Sequence, residues 1–159
     1  HQYLLDNQVS KGRAGYSVLT PFRSTENDKA VLVNRGWIPL GKSRAELPDI
    51  PVGPNEFTLT GRINRFHRVG LKLAGSEIPA KGWPAVIQVI DAKVLSQQLG
   101  YPLVDFQIEL DKSAANGFTR EWQEPVVMTP EKHTAYAVQW FLLAITLTVL
   151  FIKYGFKKQ

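Results

Sequence analysis

Residues 136–152 read YAVQWFLLAITLTVLFI, seventeen positions without a charge. At about 1.5 Å per residue a helix of this length reaches most of the way across a hydrocarbon core, and Ala135 with the stem of Lys153 brings it close to full span. A core helix of a soluble domain would carry a polar stripe, and none runs through residues 141–152. Thr146 and Thr148 can return their hydroxyls to helix carbonyls, while Gln139 lies within a turn of the outer end. The stretch is therefore expected to cross a membrane. Lys153, Lys157 and Lys158 follow it, whereas Lys132 alone precedes it beside Glu131, so the excess of lysine places the C-terminus in the cytoplasm. Tyr136 and Trp140 mark the outer interface, and Tyr154 and Phe156 the inner one.

The rest of the chain divides around that segment. Residues 1–131 form an extramembrane, periplasmic-side domain, 132–156 the membrane helix and 157–159 a short cytoplasmic tail. The 159 residues carry a net charge of +5, yet residues 1–131 hold 15 basic side chains against 14 acidic ones. Nucleic acid is not an expected partner of so neutral a domain. The surplus sits behind the membrane helix, where it sets topology and can meet anionic lipid, so the bilayer itself is the expected contact. The absence of cysteine removes disulfides, thiolate metal sites and cysteine nucleophiles. The single methionine is Met128, and a segment ahead of His1 is expected.

Residues 15–22 (GYSVLTPF), 30–38 (AVLVNRGWI), 57–65 (FTLTGRINR), 85–90 (AVIQVI) and 103–110 (LVDFQIEL) are rich in β-branched and aromatic side chains and bounded by Gly, Pro, Asn or Asp. They predict strands. Asp91 as N-cap and Gly100 as terminator predict a short helix between the last two, with Val94, Leu95 and Leu99 on one face. Residues 41–54, with three prolines and two glycines, predict a long loop. The fold class is α+β, a small, mainly antiparallel β domain with one short helix packed on it, plus the C-terminal transmembrane helix.

On a helix, His133, Tyr136, Ala137 and Trp140 follow i, i+3, i+4, i+7 spacing and line one face at the outer membrane surface. Such a face suits a flat aromatic ligand with imidazole on its iron, and equally suits a polar cap above two interfacial aromatics. His67 lies among Arg62, Arg65 and Arg68, which reads as a mildly basic, solvated strand, although arginines can also fork onto propionates. Arg35-Gly36-Trp37 admits two readings. In one, Trp37 is a contact for a partner with Arg35 binding an anion; in the other, Gly36 makes a bulge, Trp37 fills the core and Arg35 pairs with an acid. The chain contains no G-x-x-x-x-G-K, G-x-S-x-G or H-E-x-x-H pattern, and its acids are scattered, so it does not read as an enzyme.

The run HTAYAVQWF at 133–141, with Gly15-Tyr16, Thr20-Pro21-Phe22 and VLVNRGWIP at 31–39, resembles the surfeit-locus (SURF-one) cytochrome oxidase assembly family, in the right order along essentially the whole chain. The resemblance implies two membrane helices around an extramembrane domain, so an N-terminal helix is expected before residue 1. It implies assistance to a haem–copper oxidase, with haem a as a transient cofactor held by His133, Tyr136 and Trp140 and with His133 on the iron. The implied partners are the catalytic subunit of the oxidase and, further, haem a synthase; Arg35 and Trp37 are the candidate partner-binding residues. A bacterial inner membrane is the expected location, ahead of a mitochondrial one. The alternative in another class is a haem-independent scaffold or retained accessory subunit of an oxidase complex.

Overall fold

The computed structural model describes residues 1–26, 28–52, 58–66, 73–122 and 130–155. Tyr3–Ser10 (β1), Arg13–Arg23 (β2) and Ala30–Pro39 (β3) form an antiparallel meander. Lys11 and Gly12 close its first hairpin, both at positive φ, the two-residue turn whose twist matches that of the flanking strands. Gly61–Asn64 (β4), Ala85–Ile87 (β5) and Leu103–Leu110 (β6) complete a six-stranded sheet in the order β4-β6-β3-β2-β1-β5. The helices are Ala92–Leu99 (α1) and Pro130–Gly155 (α2). Two units result, His1–Trp122 and Gln123–Gln159.

The sheet is mixed, which corrects the expectation of a mainly antiparallel one. β5 runs parallel to β1, and β6 runs parallel to β3. The cause is the short helix. A strand, a helix laid over the sheet face and a second strand form a crossover, and a crossover returns the chain in the same direction. β5, α1 and β6 are such a unit, and they place the two strands on opposite sides of the meander.

Alternation along the strands gives the sheet two apolar faces. Tyr3, Leu19, Leu32, Ala85 and Ile87 point to one side and are sealed by Leu95 and Leu99 of α1. Leu4, Tyr16, Val18 and Ile38 point to the other, where Ile50 from the long loop covers them. Helix α1 is held as its sequence predicts. Asp91 accepts hydrogen bonds from the Lys93 and Val94 amides, and Gly100 ends it in the left-handed region with its N–H on the Ser96 carbonyl.

Three boundaries differ from expectation. β1 was not anticipated, because Asp6-Asn7-Gln8 interrupts its alternation; the interruption is a register shift between Leu5 and Gln8, with Asn7 at φ 58. The strand expected over 85–90 ends at Ile87. That expected over 57–65 pairs only over Gly61–Asn64 among the described residues. Helix α2 is exposed over Glu131–Gly155 and is long and apolar enough there to cross a membrane. Its 25 residues span about 38 Å. Thr146 and Thr148 bond back to the Leu142 and Ala144 carbonyls, each at 2.8 Å, so neither presents an unsatisfied hydroxyl to lipid.

Candidate functional site

The run from Asn34 to Trp37 is the junction of the His1–Trp122 unit. Across β2 and β3, Leu19 faces Asn34 but Ser17 faces Trp37, so β3 holds one extra residue there. Gly36 absorbs it at φ 113, and Asn34 accepts its amide at 3.1 Å. The shift changes the phase of the strand and delivers Ile38 to the same core as Leu4 and Tyr16. Residues 118–120 then dock along the bulge. Phe118 N–H reaches the Arg35 carbonyl at 2.7 Å, and Trp37 exchanges backbone bonds with Thr119 at 2.7 and 3.1 Å. A Cβ on Gly36 would stand 2.7 Å from the Thr119 oxygen. Trp37, half-buried, donates its indole N–H to the Gln8 carbonyl at 3.2 Å. Its ring lies so close to Gly15 that a Cβ there would meet the indole at 2.6 Å. Three of the stretches that read as motifs, around Gly15, Thr20 and Arg35, thus meet in one place.

Arg35 is 7 % exposed. Its Nε donates to the Asn116 carbonyl at 2.8 Å, one terminal nitrogen to Gln2 Oε1 at 3.0 Å, the other to the Pro51 carbonyl at 2.9 Å, and the Phe118 ring lies 5.0 Å below. Thr20 donates to the same Gln2 oxygen at 3.0 Å. The expected acid is not the partner: among the described residues Arg35 bonds to neutral oxygens only. Burial pushes its pKa below the usual guanidinium value, and the group remains a cation. Gln2, Pro51 and Asn116 carry no motif and were not foreseen. Their part is played by backbone carbonyls and one terminal amide, which leave no pattern in the sequence.

A cavity of about 160 Å³ opens beside Arg35, walled chiefly by Phe22, Val33, Leu59, Leu110 and Ala115. Arg62, expected on a solvated surface, forks onto Glu109 at 2.8 and 2.7 Å, while Asn64 donates to the other carboxylate oxygen at 2.8 Å. Glu109 is 7 % exposed, so the pair lies at the border of the core. His67 and Arg68 lie outside the described residues.

On α2, His133, Tyr136 and Trp140 are all exposed, and helical spacing sets them on one face. An exposed imidazole with two aromatic rings one and two turns along fits the donor chemistry of one axial haem ligand beside an apolar wall. It supplies no second ligand. Lys153 at the other end of the helix lies 5.9 Å from the centre of the Tyr154 ring.

Comparison with known proteins gives a consistent result. The SURF1 family profile matches residues 1–145. A SURF1-like protein of Rickettsia felis is 30% identical over 149 residues, covering 92% of this chain and 63% of that protein. A SURF1-like protein of Rickettsia conorii is 24% identical over 151 residues, covering 92% of this chain and 59% of that protein. The chain thus spans about three-fifths of the length of these curated relatives. No solved structure matches.

Proposed function

The chain belongs to the SURF1 family, and from that premise we propose that it is a membrane-anchored assembly factor for a haem–copper terminal oxidase, receiving or shielding haem a for the catalytic subunit. In this reading the C-terminal helix anchors it in a bacterial inner membrane with the β domain on the periplasmic side and the tail in the cytoplasm. The observation that carries the haem part is the exposed face of His133, Tyr136 and Trp140 at the outer end of α2. His133 offers one nitrogen to iron, and Tyr136 and Trp140 cover one side of a flat cargo at the depth where amphipathic rings are stable. No covalent bond is made or broken by this chain. The catalytic subunit and haem a synthase are the partners this reading names.

The test is the absorption spectrum of the protein purified from cells that make haem a. We expect a haem a spectrum, and we expect His133→Ala to lose it or to shift its bands and lower its stoichiometry. Haem bound identically by His133→Ala removes His133 as the ligand. Haem-free wild-type protein that is still required for oxidase assembly would establish the scaffold in place of the haem carrier.

A further inference from the structure

The feature that the proposed function leaves unused is the buried cation. A guanidinium has five N–H donors, and Arg35 spends three of them on neutral oxygens, leaving one on each terminal nitrogen. Tying Gln2, Pro51 and Asn116 together needs only donors, not charge, and a charge held at 7 % exposure with no acidic partner among the described residues is expensive. Two remaining N–H groups on a guanidinium can donate to the oxygens of a carboxylate. Beside them lies the cavity of about 160 Å³, whose walls are apolar apart from Thr20, Thr58, Asn116 and Arg35 itself.

We propose that this cavity binds a small apolar carboxylate, its acid group forked on Arg35 and its body packed against Phe22, Val33 and Leu110. The size fixes the class. A dry cavity of about 150 Å³ holds a benzene ring, so the body has on the order of six to ten heavy atoms. Phosphate or sulfate would meet the charge and leave the walls empty, while a neutral molecule of the same shape would fill the walls and leave the charge uncompensated. The site lies within the His1–Trp122 unit and involves none of the residues of the α2 face, so it stands or falls apart from the haem reading.

The experiment is calorimetric titration of the full chain in lipid nanodiscs, referenced to empty nanodiscs, with phenylacetate, phenylacetamide and inorganic phosphate as probes. Phenylacetate is expected to bind saturably at one site, with phenylacetamide and phosphate at least about tenfold weaker. Ala115 is exposed, so Ala115→Phe should fold, keep the near-ultraviolet circular dichroism of the wild type, and lose at least about tenfold in phenylacetate affinity by filling the mouth. Three results overturn the proposal: no saturable binding at millimolar phenylacetate, equal binding of acid and amide, or binding indifferent to Ala115→Phe.

Discussion

Replacing Gly36 by alanine tests whether the bulge in β3 is the device that phases the six-stranded sheet. Two costs add at that position. The backbone sits at φ 113, where an L side chain is strained by about 1–3 kcal/mol. The new methyl would also stand 2.7 Å from the Thr119 oxygen and 2.9 Å from Arg120 Cγ. The first of these is backbone held by two hydrogen bonds to Trp37, so it cannot swing aside, and overpacking of this kind costs about 1–3 kcal/mol. Together they predict a loss of about 2–6 kcal/mol, at least about thirtyfold in the folding equilibrium. Gly12→Ala separates the two terms. Gly12 has φ 74 but nothing within 4 Å of its Cβ position, so its substitution should cost only about 1 kcal/mol. The assay is urea denaturation of the reconstituted chain followed by tryptophan fluorescence, which Trp37 and Trp122 report from within the unit. If Gly36→Ala and Gly12→Ala destabilise equally, residues 118–120 do not press on the bulge and the reasoning is wrong.

Other outcomes are open to simpler measurement. Leu95→Ala removes the fully buried anchor of α1 and should cost about 2–5 kcal/mol, whereas Asp91→Ala removes the N-cap and should cost about 1 kcal/mol for the lost cap in the same denaturation assay. The Asp111 carboxylate accepts from the Ser113 hydroxyl at 2.6 Å and amide at 2.8 Å, and these bonds hold its pKa below the ordinary aspartate value. A depressed carboxylate lends stability that is complete above the unfolded pKa and lost as pH falls through the folded one, and Ser113→Ala should move the midpoint upward in a carbon-13 titration. Because the chain has no cysteine, Gln97→Cys on exposed α1 gives a single thiol. An impermeant maleimide should label it in intact spheroplasts, and labelling only after lysis would reverse the proposed orientation.

The sequence read alone was informative wherever the physics is local. An uncharged run of 17 residues marks a helix that is long and apolar enough to cross a membrane. Asp91 and Gly100 bracket α1 because capping is a matter of adjacent backbone groups. The family motifs around Gly15, Thr20, Arg35 and His133 were visible for a related reason, since each is short and contiguous. β1 escaped because its bulge at Asn7 breaks the alternation on which strand reading depends.

What only the tertiary structure decided are the long-range pairings. The direction of β5 and β6 depends on α1 lying across the sheet, and no period within either strand encodes it. Arg35 is the sharper case. Its residue type announces a charge, and the expected partner was an acid, yet the oxygens that hold it come from Gln2, Pro51 and Asn116, up to 81 positions away. Backbone carbonyls are present at every position and so mark none. Only folding selects which of them converge, and that convergence leaves a cation buried beside an apolar cavity.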